Sequence, residues 1–352
     1  MVDRVLLIIN SSSGTGHGES LLNQLPHALS KVLGETASLR TDVVTDHPQT
    51  KSCAKAFLGA SSGSAAVIAA GGGGTLRAVI EAVCEVFGAG PLPGGERVQV
   101  TGLRMGSGNV VAKLFGVPLD PMEAIQGIGV SLRTGRFAPC CVICCRIDTP
   151  ERETLTRYAV TMCGLGQFGR TSGDLARWHK RLPGLRRFAT RFVKLESLNN
   201  VEYGLAVFVR ALWCTLWPKA CETVEVEASG ERSSLRLLAG VALNFPIGML
   251  PFDPGVRVED PALSLHLIPQ SSRFESLALA FAPHRLVNRA RKIRIGPENS
   301  VELRITDRDT MEFFLDEDPE VAYRKLTIQV AGTLAFVPGP GYARPQEGAA
   351  HP

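Results

Sequence analysis

Three short loops carry the residues best suited to chemistry: NSSSGTGHG at residues 10–18, GGGGT at 71–75 and GSGN at 106–109. Each follows an apolar run and precedes a segment with helical spacing. Glycine lets consecutive backbone N–H groups turn into one concavity, and a helix start adds partial positive charge. That combination suits a bound phosphate, with the hydroxyls of Ser13, Thr75 and Ser107 as further donors. A glycine inside regular structure costs about 0.5–1 kcal/mol relative to alanine, so four in a row call for a close approach to the backbone. One such loop is an ordinary strand-to-helix turn. Three on the same edge of one sheet point to a shared crevice.

The elements that must hold these loops follow from the apolar pattern. RVLLIIN, SLRTDVVTD, AAVIAA and RVQVTGLRM read as strands, separated by helical stretches in ESLLNQLPHALSKVL, residues 49–59 and TLRAVIEAVCEVF, with NVVAKLFGV opening another helix. Strands alternating with helices predict a parallel sheet covered on both faces. Near residue 135 the pattern changes to strands joined by hairpins and loops, as in APCCVICCRI and ETVEVEASGERSSLRLLAGVALN, with helical material around 173–217. MEFFLDEDPEVAYRKLTIQVAGTLAFV is read as two closing strands, and PGPGYARPQEGAAHP as a disordered Pro/Gly-rich tail. The expected fold class is α/β. Residues 1–135 form a Rossmann-like three-layer nucleotide-binding domain. Residues 136–338 form a mainly antiparallel, β-sandwich-like domain whose last strands have the option of returning to the first. The tail is 339–352.

Composition sets wider limits. The 352 residues are 45% hydrophobic and 20% charged, with a net charge of +4, ordinary values for a folded globular chain. So mild a charge carries no expectation of nucleic-acid binding. No stretch approaches 18 uncharged apolar residues, and MVDRVLLIINSSSG is read as a first buried strand rather than a signal peptide. Nine cysteines without regular spacing suit a reducing, cytoplasmic setting. CCVICC at 140–145 lacks a second ligand cluster, so buried structural cysteines are favoured over zinc. His17 is read as an exposed loop residue.

The order NSSSG, Thr45, GGGGTLRAV and LRMGSGNVVAKLFGVP resembles the diacylglycerol kinase catalytic family, which includes bacterial lipid kinases and, more distantly, sphingosine and ceramide kinases. The resemblance spans roughly residues 4–338 and is strongest up to 120 and from 311 to 338. It implies that Asn10, Ser11, Ser12, Ser13, Gly14 and Thr45 line ATP. It implies that Gly71, Gly72, Gly73, Gly74, Thr75, Leu76 and Arg77 wrap the phosphates, with Gly106, Ser107, Gly108 and Asn109 helping to hold them. The family's Asp-Gly-Glu strand is matched by LDED. Asp316 falls in the base role, Glu317 in place of glycine and Asp318 in place of glutamate. Asp260, followed by Pro261, matches an aspartate associated with a structural magnesium.

Three family carboxylates have other residues here: Gly73 in the glycine loop, Val110 after GSGN, and Gly166 in GLGQF. The resemblance implies a lipid kinase using ATP and Mg²⁺ on a hydroxyl of diacylglycerol or a related lipid. The missing acids keep open a catalytically impaired nucleotide- or lipid-binding protein, and a soluble NAD kinase-like enzyme is a third option. The run RWHKRLPGLRRFATRFVK (177–194), with fainter support from RLVNRARKIRI (285–295), is expected on anionic lipid headgroups. Peripheral membrane association follows. The oligomeric state stays open, a homodimer among the options.

Overall fold

The computed structural model describes residues 2–13, 19–60, 63–87, 97–106, 110–151, 153–181, 195–245, 256–272, 274–316 and 318–343. The chain divides into two compact units, Met1–Cys140 with Thr333–Pro352, and Cys141–Gly332. In the first unit β1 (Arg4–Asn10), α1 (Glu19–Leu33), β2 (Ser38–Val44), α2 (His47–Gly59), β3 (Ala65–Gly71), α3 (Gly73–Phe87) and β4 (Val98–Arg104) alternate as expected. Two further helices follow, α4 (Val110–Leu114) and α5 (Pro121–Arg133). The strands run parallel in the order β2-β1-β3-β4. β3 and the interior of β1 (residues 5–9) are buried, as strands covered on both faces are. Leu25 and Leu29 of α1 with Ile125 and Ile128 of α5 pack on Leu7, Ile9 and Ile68. α2 and α3 pack together, burying Phe57 and Ile80. Asp46 and Asp120 cap α2 and α5, each accepting from a backbone N–H three residues on, with proline in the first turn.

The second unit is antiparallel. β5 (Ala138–Asp148) crosses its boundary, so the division falls inside a strand rather than at residue 135. β6 (Thr154–Ala159) pairs with β5, and β7 (Met162–Leu165) leads into a short α6 (Gly166–Gly169) and α7 (Thr171–Arg181). After α8 (Leu195–Leu216) and a 3₁₀ turn at Pro218–Ala220, β8 (Glu222–Ala228) and β9 (Glu231–Leu243) form a hairpin. Its two-residue turn is Ser229–Gly230, both at positive φ, as a primed turn requires. β10 (Leu263–Pro269), α9 (Glu275–Phe281), α10 (Pro283–Val287), β11 (Arg291–Ile295) and β12 (Ser300–Ile305) follow. The segment read as two strands makes three: β13 (Thr310–Leu315), β14 (Asp318–Tyr323) and β15 (Lys325–Phe336). Asp316 at φ 49° and Arg324 at φ 60° turn the chain at the two extra corners. Phe313, Leu315, Leu265, Leu303 and Ile328 share the core of this unit.

The end of β15 belongs to the first unit, where Ala335 and Phe336 pair parallel with Gln99 and Val100 of β4. Residues 339–343 are ordered there, in contrast to the disorder expected from composition. Gly339 N donates to Phe115 O at 2.9 Å, and buried Tyr342 lies against Phe115, ring centroids 5.5 Å apart. Glycines on the receiving side make room. A Cβ at Gly127 would stand 2.5 Å from Pro340 Cδ, and one at Gly116 would strike the backbone of Tyr342. Residues 344–352 lie outside the described residues.

α2 and α3 are joined by two charge ladders of i,i+4 spacing, His47-Lys51-Lys55 and Arg77-Glu81-Glu85. Buried Glu81 accepts from Arg77 Nε and Lys51 Nζ, both at 3.1 Å, and meets His47 Nε2 at 3.2 Å. Burial pushes the Glu81 carboxyl up, but His47, Arg77 and Lys51 together overrule it and hold the group at about 2. A carboxylate depressed from 4.5 contributes stability that is complete above pH 4.5 and is lost as pH falls towards 2, worth roughly 3 kcal/mol. Glu81→Gln is expected to lower stability by about that much at pH 7. In chemical denaturation the gap to the unmodified protein narrows between pH 4.5 and 2. A gap that does not change with pH would contradict this.

Candidate functional site

β1 lies between β2 and β3, so the connections leaving β1 and β3 run in opposite directions along the sheet. Ligands of open α/β sheets sit at the carboxyl ends of strands at such a switch point. Here that edge holds Asn10 and Gly71–Thr75. Asn10 Nδ2 donates to Thr75 Oγ1 at 3.0 Å, while its Oδ1 accepts from Ser12 N at 2.9 Å. Ser13 N donates to Asn10 O at 3.1 Å, and Ser11 reaches Val44 O at the end of β2 through both N and Oγ. Met105 N donates to Gly71 O at 3.2 Å, bringing in the end of β4. Thr45 is exposed after β2 and donates twice to Gln49 Oε1, at 3.0 and 3.1 Å.

The glycines of this edge serve different ends. A Cβ on Gly71 would stand 2.7 Å from Thr75 Cβ, so Gly71 is needed for Thr75 to seat against β3. A Cβ on Gly72 would lie 3.4 Å from Gly106 Cα, where the second and third loops abut. A Cβ on Gly74 would meet nothing within 4 Å and would point into open space. Thr75 N and Leu76 N both donate to Gly72 O. The amides of Gly73 and Gly74, in the first turn of α3, have no partner among the described residues. Two such adjacent amides at a helix start are suited to an anion.

Several residues expected to line the nucleotide or wrap its phosphates have internal contacts. The Asn10 carboxamide and the Thr75 hydroxyl are bonded to each other, Thr75 being 3% exposed. Leu76 is buried and faces Gly102 of β4, packing α3 on the sheet. Arg77 is buried, with its guanidinium committed to Glu81. The i,i+4 ladders on α2 and α3 carried that signal in the sequence. Gly14, Ser107, Gly108, Asn109, His17, Glu317 and residues 182–194 lie outside the described residues.

The acidic residues fall in the second unit. Asp316 Oδ2 accepts from Val160 N at 2.7 Å; Oδ1 accepts from Thr161 N at 2.7 Å, from Met162 N at 3.1 Å and from the Thr161 hydroxyl. Four donors thus meet the Asp316 carboxylate, which fixes the turn between β6 and β7. Asp318 is exposed at the start of β14. Asp260 N donates to Arg257 O at 3.0 Å and its Oδ2 accepts from Arg257 N at 3.2 Å, closing a turn before β10. Gly166 has φ 61°, and a Cβ there would approach Leu238 O at 3.0 Å, so this backbone disfavours a side chain at that position. Among the described residues no three of His, Cys, Asp and Glu gather as a metal site.

Residues 4–137 match the family profile described as the diacylglycerol kinase catalytic domain. No curated protein matches the chain. A solved diacylglycerol kinase structure from Bacillus anthracis str. Sterne has a TM-score of 0.59 at 13% identity, covering 97% of this chain and 98% of that one. A further structure from the same organism has a TM-score of 0.61 at 14% identity, covering 97% and 99%. At such identity the structural likeness speaks for the fold alone, and the profile match speaks for residues 4–137. Residues 4–137 thus match the diacylglycerol kinase catalytic domain profile, and the chain as a whole has the fold of these solved structures.

Proposed function

We propose that the chain is an ATP-dependent phosphotransferase acting on a hydroxyl of diacylglycerol or a related lipid. The observation that carries this reading is the pair of unpartnered amides at Gly73 and Gly74, beside the open face of Gly74 at the switch point. Phosphate oxygens accept from these amides, the positive end of α3 adds attraction, and the Ser11–Ser13 turn and Thr45 border the nucleoside. In transfer, the acceptor oxygen bonds to the γ-phosphorus, the bond to the β-phosphate bridge breaks, and ADP leaves. The acceptor's proton passes to a carboxylate. Asp318 is assigned to that task because it is exposed and lies in the LDED stretch that matches the family's acidic strand.

The donor set does not fit a magnesium site of the family type. Gly73, Val110 and Gly166 stand where its acids are expected, and Asp260 is engaged with Arg257. No step above is routed through a metal. The same departures support a second reading, nucleotide binding without turnover.

Single substitutions test these assignments. Gly71→Ala is expected to destabilise the protein by roughly 1–3 kcal/mol through overpacking against Thr75. Gly74→Val leaves thermal stability nearly unchanged but weakens ATP binding at least about tenfold in calorimetric titration, as a blocked cradle requires. Equal ATP affinity in the Gly74 variant would remove the site. Asp318→Asn is expected to cut phosphorylation of diacylglycerol by about 10²–10⁴-fold with ATP binding intact. Asp316→Asn instead lowers the melting temperature, and full activity in Asp318→Asn would end the base assignment. Gly73→Asp places a like charge beside the phosphates. It is expected to weaken ATP binding in chelator and strengthen it with added Mg²⁺; unchanged magnesium dependence would show that Gly73 is not the position that decides metal use.

A further inference from the structure

Residues 205–217 read LAVFVRALWCTLW and carry one charge, Arg210, whose Nη2 is bound to Asp174 Oδ1 at 2.7 Å. This stretch of α8 is apolar on all sides. Ala206, Ala211 and Cys214 face inward and are buried. The opposite face presents Leu205, Phe208, Leu212, Trp213, Leu216 and Trp217 outward, Leu205 and Trp217 each 52% exposed and Leu216 60%. Phe281, 71% exposed at the end of α9, extends the surface by an edge contact with Phe208 at 5.7 Å. Trp213 and Trp217 stack at 4.3 Å, forming an outward aromatic pair. A helix that is apolar all round and open on one side needs a second apolar environment.

Exposed cations surround it. Lys180 and Arg181 end α7, which packs against α8. Lys219 lies in the 3₁₀ turn after Trp217, and Arg285 lies on α10, which packs against α9. None of the four has an acidic partner among the described residues. Joining two copies through this face would bring their Lys219 and Arg285 charges together. A bilayer with anionic headgroups matches both features: its acyl boundary takes the leucines, its interface takes paired tryptophans, and its phosphates meet the cations.

We propose that the outward face of α8, with Phe281, docks the second unit on an anionic lipid bilayer, the helix lying in the interface. Only the choice of partner rests on the lipid-acceptor reading above, so the test uses neither ATP nor diacylglycerol. Vesicles of phosphatidylglycerol and phosphatidylcholine are titrated into the full chain, whose tryptophans are three, two of them on this face. Binding is expected with a blue shift of tryptophan emission, quenching by brominated acyl chains, and weakening as salt rises. The double variant Leu212→Ser/Trp213→Ser loses at least about tenfold in vesicle affinity, and Lys219→Glu/Arg285→Glu loses comparable affinity together with part of the salt dependence. Circular dichroism checks that both remain folded; if either does not, quenching in the unmodified protein decides. Several results overturn the proposal: no vesicle binding at low salt, no quenching, unchanged affinity in the apolar variant, or a dimer that the apolar variant dissolves. Because no substrate enters the test, any of these results would sink this surface and leave the kinase reading standing.

Discussion

Asn10 and Thr75 come from the ends of neighbouring strands, and the bond between their side chains ties the first glycine loop to the start of α3. It forms only because Gly71 leaves space for Thr75 to sit flat against β3. With Thr75 fixed, the helix begins at Gly73 and leaves two amides facing outward. The contact from Met105 to Gly71 then holds the third loop against the second. The arrangement of these loops is thus a product of one half-buried polar pair and one missing methyl group. Such a pair is costly to half-break, since the buried Thr75 hydroxyl alone would be left without this bond.

The ion ladder around Glu81 serves the same end from the outside. It clamps α2 to α3, and so fixes the direction in which the first turn of α3 points. Arg77 is the informative residue, because its place after a glycine loop suggested a phosphate contact. Its burial against Glu81 makes it a strut for the cradle rather than part of its lining. A charge that neutralises a buried neighbour has little left to offer a ligand.

Much of this architecture is legible in residues alone. β1 and β3 announce themselves as continuous apolar runs, and Asp46 and Asp120 before proline mark helix starts. The charge ladders on α2 and α3 were equally readable from their spacing of four. Other features depend on partners distant in the chain. The corner between β13 and β14 sits at Asp316, with no glycine there to signal it; the turn holds because three backbone amides and a hydroxyl from residues 160–162 reach its carboxylate. Residues 339–343 looked like a disordered tail from their composition. They are ordered because Gly116 and Gly127, far upstream, provide a groove for them. Local composition cannot report such a fit. The individual jobs of Gly71, Gly72 and Gly74 were also hidden, since four identical letters differ only in what stands opposite each one.

The return of the chain through the end of β15 has a consequence for biosynthesis. β4 pairs with residues 335 and 336, Thr101 Oγ1 donates to Val337 O at 2.8 Å, and Ser131 Oγ donates to Pro338 O at 2.9 Å. As the ribosome delivers the polypeptide, most of the first unit emerges early yet cannot close its own sheet. One edge of β4 waits, unpaired, while the whole second unit is translated. The half that is made earliest is therefore completed last, and nascent chains halted before residue 338 present an open strand to whatever else is in reach.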